Sequence, residues 1–279
     1  MTQTTTAHTR GPIKPRHPEF DFSGLPRRWF AGLAFPTHLA NGANLLFPLG
    51  ERFFVKSVRH FEKAIADDPA LREAVRGFYA QEGRHAQAHE QYFDTLRAQG
   101  FDIDTFLKIY RTLAFDGLAR LTGPELNLAI TAALEHYTAT LAEGALRDRM
   151  LDAAHPVMRA LLLWHSAEEI EHKSVAFDVL QRVNPSYALR MTGLAFATAT
   201  LGGFWFAAMI MLLAQDGALH PGTLRAVREA EYRMGKPARS VPRDVFWAGL
   251  KAYARRDFHP SQIDNDGLAS EFLREAAMA

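Results

Sequence analysis

An all-α fold, a four-helix bundle followed by a further long apolar helix and C-terminal helices, is what three observations in this sequence predict. Two Glu-x-x-His signatures, Glu82-Gly83-Arg84-His85 and Glu169-Ile170-Glu171-His172, each lie downstream of a lone glutamate, 31 residues on from Glu51 and 34 on from Glu135. The midpoint of each interval falls on a turn signal, Asp67-Asp68-Pro69 in one case and Asp152-Ala153-Ala154-His155-Pro156 in the other. Residues facing each other at one height of an antiparallel helix pair are equidistant from the connecting loop. At about 1.5 Å per residue, each glutamate and its signature therefore sit roughly 22 Å from their turn, deep in a bundle. The third observation is a 24-residue stretch without a charge, residues 191–214.

The elements follow in order. A first motif helix is expected over residues 46–66, with Pro48 able to start or kink it. Asp68 as N-cap and Pro69 at the first helical position open a second, over 69–99, which Gly100 stops. A crossover over 103–121, containing a short helix, returns the chain across the bundle. Thr122-Gly123-Pro124 opens a third motif helix that runs to about residue 150, and a fourth spans 156–183 before Asn184-Pro185. Residues 1–23, rich in Thr, Pro, Arg and His and lacking the apolar core of a secretion signal, read as a flexible arm. The organisation expected is an arm over 1–23, a dimetal bundle over 24–183, and an apolar helix with a C-terminal helical segment over 184–279.

The residue types point to metal. Positions three apart on a helix share a face, so each Glu-x-x-His offers a carboxylate and an imidazole to one ion, while a lone Glu from the neighbouring helix bridges or caps. His165 precedes Glu169 by four and His172 by seven, which places a third imidazole on the same stripe. The expected ligands are Glu51, Glu82, His85, Glu135, His165, Glu169 and His172. Glu51, Glu82 and His85 are expected to serve one ion and Glu135, Glu169, His172 and His165 the other, with Glu82, Glu169 or both bridging. This mixed oxygen and nitrogen shell suits Fe, with Mn or Zn as alternatives, over Mg or Ca. The absence of cysteine excludes thiolate and iron–sulfur sites.

With these motifs the chain resembles the ferritin-like di-iron carboxylate proteins, whose ligand plan this is. Its His165-x-x-x-Glu169-x-x-His172 helix is similar to that of the p-aminobenzoate N-oxygenase group. Through Glu82-Gly83-Arg84-His85-Ala86-Gln87-Ala88-His89, the run from Trp164 to Asp178, and Phe258-His259-Pro260, residues 25–265 resemble the family labelled predicted metal-dependent hydrolase.

Several residues compete with these or could support them. Glu62 rivals Glu51, but its midpoint with Glu82 falls inside the second helix. Glu143 rivals Glu135, its midpoint with Glu169 being Pro156. His89 shares the face of Glu82 and His85 and reads as an outer or structural histidine, and His136 as a surface or outer one. Glu168, Glu171 and Asp178 could orient imidazoles. His259, before a proline, reads as a turn element that could approach the pocket.

At 279 residues, 48% hydrophobic and net charge +1, the chain can bury a large core and shows no charge excess for nucleic acid. The lack of cysteine fits a reducing cytoplasm. Residues 191–214 are long enough to cross a bilayer of about 30 Å. They therefore read as a membrane contact, as a fifth helix buried on the bundle or in a homo-oligomer interface, or as part of an apolar substrate channel involving Phe204 and Phe206. Three functions are expected in this order: a di-iron enzyme that activates O2 to oxidise a small organic substrate, drawing electrons from a reductase; a hydrolase with a dimetal-activated water; and metal storage or a structural metal.

Overall fold

The computed structural model describes residues 13–234, 243 and 247–276. Four helices carry the motif residues: α1, Ala34–Arg59; α2, Pro69–Ala98; and, after a short α3 at Asp104–Tyr110, α4, Ala119–Arg147, and α5, Pro156–His172. The chain then runs through α6 (Val175–Val183), α7 (Tyr187–Gln215), α8 (Pro221–Met234), α9 (Ala248–Tyr253) and α10 (Asp266–Glu275). No strand occurs among the described residues, only an isolated bridge between Phe30 and Ala154. Of the expected C-terminal helical segment, α8, α9 and α10 are described, whereas residues 235–242 and 244–246 lie outside the described residues.

α1 packs on α2 and α4 on α5, and the two hairpins meet through α1 with α4 and α2 with α5. Asp68 caps α2, its carboxylate accepting the Leu71 backbone N–H at 2.9 Å, with Pro69 in the first turn. α1 starts earlier than expected and passes straight through Pro48. The proline forfeits one hydrogen bond, to the Asn44 carbonyl, but α2 and α7 both pack on the helix and hold it. The crossover contains α3 and, at Arg111–Leu118, a π-helical segment with no buried residue. Gly123, at φ 73°, breaks α4 just before Pro124, where the motif helix proper begins. The expected fourth helix is two. It breaks at Lys173-Ser174, where the buried Lys173 ammonium turns aside to the Ile263 carbonyl, Asn265 and Asp266, an attraction that no local signal announces.

α7 is the apolar helix, with mean hydropathy 1.8 in its most apolar window. It lies in a groove between α1 and α4. Glycines admit it: a Cβ on Gly193 would lie 2.6 Å from the Ala129 backbone, and one on Gly42 would lie 3.0 Å from the Trp205 side chain. Its opposite face is open, with Phe206 61% exposed and Ile210 37%. By length and composition α7 could cross a membrane, and one third of that window is buried on the bundle.

Residues 13–23 do not form a free arm, whereas 1–12 lie outside the described residues. Ile13 covers Gly77 so closely that a Cβ there would sit 2.6 Å from it. Phe20 packs on Trp164 and Phe22 on Tyr92, at ring separations of 5.7 and 5.4 Å. Polar composition concealed the segment because these few apolar residues, with Arg16, make the contacts.

Candidate metal centre

The four helices bring all seven expected residues together, each with no more than 4% of its surface exposed. Their donor atoms form three overlapping groups: Glu51 with His85 and His165, Glu82 with His85 and Glu169, and Glu82 with Glu135 and His172. His172 Nε2 lies 3.2 Å from Glu82 and 3.5 Å from both Glu135 and Glu169; His85 Nδ1 is 3.5 Å from Glu169, and His165 Nε2 is 3.6 Å from Glu51. Two ligands each about 2.1 Å from one ion stand about 3–3.5 Å apart, so donors at these separations are able to hold metal ions. The grouping differs from the expected division in one respect: His165 joins Glu51 and His85, not Glu135 and His172.

The outer partners fix each imidazole. His85 Nε2 lies 3.0 Å from Glu168, leaving Nδ1 to face the cluster, and His172 Nδ1 lies 2.9 Å from Gln81 Oε1, leaving Nε2 inward. Asn44 Oδ1 accepts from His89 Nδ1 at 2.7 Å, so that His89 Nε2 accepts from His165 Nδ1 at 2.6 Å and His165 Nε2 faces Glu169 at 2.9 Å. With both its nitrogens engaged, His89 supports the cluster from behind. Arg16 joins two of these chains. It donates to buried Glu168 at 3.1 Å and to Glu171 at 2.7 and 2.9 Å, and Glu171 in turn accepts from the Gln81 amide. Glu168 and Glu171 were legible as orienting groups; Arg16, Asn44 and Gln81 were not, since nothing in the spacing of single polar residues links them to the motifs.

The remaining competitors stand elsewhere. Glu62 is exposed and lies 3.9 Å from Arg59, while Glu143 pairs with Arg147 and Asn265. His136 bonds the Gly249 carbonyl through Nε2, and burial lowers its pKa to about 4. His259 lies between Asp178 and Ser261.

Electrostatically the cluster is strained in the way a cation would relieve. Burial, and then the neighbouring carboxylates, push Glu51, Glu82 and Glu135 well above the usual carboxyl range. Burial opposes ionisation of Glu169 too, but His172 and the hydrogen-bonding imidazoles outweigh it and hold that carboxyl well below the usual range. His172 is the counterpart: burial lowers its pKa, Glu169 and Glu135 more than compensate, and it rises to about 9. Both carboxylate oxygens of Glu51, Glu82 and Glu135, together with Glu169 Oε2, His85 Nδ1 and His172 Nε2, are buried without a hydrogen-bond partner. Unpaired buried acceptors are costly and rare; converging on one point, they fit metal ions of the Fe, Mn or Zn type.

The cluster is reached by two cavities. One, of about 440 Å³, touches Glu169 and His165 and is walled by Leu39, Phe47, Leu141, Leu162 and Trp205. The other, of about 70 Å³, touches Glu51 and lies partly under Phe115 of the π-helical segment.

If Glu168 orients His85, Glu168→Ala weakens metal affinity by about 10–100-fold with the helical circular dichroism retained. Unchanged affinity in a metal-buffered titration of that variant would remove Glu168 from this role.

Comparison with curated proteins finds no match, and neither does comparison with solved structures. A family model does match, over residues 14–264, a span that includes all seven clustered residues, Arg16 and both cavities. The chain therefore belongs to the family described as predicted metal-dependent hydrolase.

Proposed function

We propose that the seven residues hold two metal ions and that the protein is a metal-dependent enzyme acting on a small organic molecule with an apolar body. The observation that carries this reading is the set of unpaired, buried carboxylate and imidazole atoms facing one another where an apolar cavity ends. Ions bound there would supply Lewis acidity, and redox capacity as well if they are iron. The apolar walls would bind the substrate and limit water to the open rim, and Glu169 and His165 would present the reacting edge of the centre.

Hydrolysis is the reaction that the family description favours. A second reading, oxidation by O2 at a di-iron centre supplied by a reductase, takes its support from the donor set: four carboxylates, and a Glu-x-x-His on each of two helices, as in carboxylate-bridged bundles. Storage alone leaves the 440 Å³ cavity without a purpose.

The deciding experiment is metal analysis of protein purified without chelator or added metal, followed by anaerobic ester and amide hydrolysis assays and by O2-uptake assays with a reductant. Two zinc or manganese ions with oxygen-independent turnover are expected for hydrolysis. Two irons with substrate-dependent O2 consumption would replace that reading with the second, and a metal-free, folded and inactive protein that takes up no added metal would overturn both.

A further inference from the structure

The two cavities adjoin each other. They share the wall residues Ala43, Phe47, Thr138, Leu141 and Trp205, and both end at the clustered donors, since Glu51 Oε1 lies only 3.6 Å from His165 Nε2. Phe47 stands at their junction. Its ring packs against His165 at 4.7 Å and against His89 at 4.9 Å.

The larger cavity is graded along its length. At one end it is lined by Asp148, Arg149 and Asp152, in the segment between α4 and α5. Arg149 pairs with Asp152 at 2.7 Å and its side chain is 69% exposed, so this end is a charged rim open to water. Thr138, one of the shared wall residues, lies nine residues before Arg147, the last residue of α4, about 13.5 Å along the helix axis. Between them the walls are almost wholly apolar. The space thus has water-facing charges on its rim, mainly apolar walls, the donors where the two cavities meet, and a small apolar pocket beyond. At about 30 Å³ for each water-sized group, the large cavity accommodates about fifteen non-hydrogen atoms and the small one two or three more.

From this we infer that the substrate is a single-chain amphiphile taken from solution. Its polar end rests at the Asp148, Arg149 and Asp152 rim, its apolar chain runs past Glu169 and His165, and its tip enters the pocket beyond Phe47, which sets the accepted length. The word substrate rests on the function proposed above; the binding itself needs no metal.

The test uses the full-length chain, metal-free and zinc-loaded in parallel, with cis-parinaric acid, a single unbranched chain, as the fluorescent probe. It is displaced by saturated alkanoates of six to sixteen carbons, kept below micelle-forming concentrations. Displacement is expected to strengthen with chain length up to a limit and then to weaken. Phe47→Ala is expected to move that limit by two or more carbons, and Phe47→Leu to move it by less. Leu162→Trp, at a half-buried wall position, is expected to weaken binding at least tenfold.

Displacement that ignores chain length, or an unshifted limit in folded Phe47→Ala and Phe47→Leu together with undiminished binding in Leu162→Trp, would overturn the inference. Metal analysis keeps the two proposals apart. A chain-length limit without metal uptake sinks the enzymatic reading alone, and two bound metals with a flat length profile sink the amphiphile alone.

Discussion

Glu169→Ala is expected to strip at least one ion from the centre and to reduce activity by more than the roughly 10–100-fold that follows loss of an outer hydrogen-bond partner. Glu169 pairs with three others of the cluster, lying 2.9 Å from His165 and 3.5 Å from both His85 and His172, and only His172 pairs with as many. It is also the carboxylate held ionised by its neighbours, and so the one already in a metal-ready state. The helical fold should persist, because the substitution removes a buried charge and not an apolar contact of the core. Metal content and far-UV circular dichroism measured on the same samples check both halves. His172→Ala is expected to behave alike, and full metal occupancy in the two variants would sink the ligand assignment.

Metal uptake should release protons and tighten steeply as pH rises. In the metal-free chain the carboxyls of Glu51, Glu82 and Glu135 are pushed up by burial and mutual repulsion, and so retain protons that free carboxyls would have lost. His172, at about 9, is an imidazolium at neutral pH. A ligand must shed its proton to bind, so each proton displaced per ion contributes about tenfold in affinity per pH unit, and the gain ends only above the pKa of the group concerned. Between pH 6.5 and 8.5 the dissociation constant is therefore expected to fall by about a hundredfold or more. Calorimetric titration in two buffers of different ionisation enthalpy counts the protons directly. An affinity that does not change with pH would show that the cluster is already unprotonated.

The ligands were legible because helix geometry converts spacing into position. Equal distances from a turn place Glu51 opposite Glu82, and Glu135 opposite Glu169, whatever the side chains between them. The π-helical crossover and the break at Lys173 were not legible, since one lacks a sequence signature and the other depends on a contact with Asn265 and Asp266, about ninety residues away. The same holds for Arg16: a lone arginine in a polar segment gives no sign that it will reach a buried glutamate 152 positions further on. Local periodicity is written along the chain, whereas the groups that tune the centre are chosen by the tertiary fold.

The two hairpins are near repeats of one plan, and the place where they depart from it gives the centre a polarity. Four residues before Glu169 stands His165; four before Glu82 stands Phe78, whose ring packs edge-on against His172 at 5.1 Å. One seat thus draws two imidazoles and a carboxylate, from His85, His165 and Glu51, while the other draws two carboxylates and one imidazole, from Glu82, Glu135 and His172. Twin seats would fill together and with the same element. On the two-ion reading proposed above, unequal ones would fill in sequence, the nitrogen-rich seat favouring later first-row metals and the oxygen-rich seat harder ones, and the asymmetry would suit two different elements side by side.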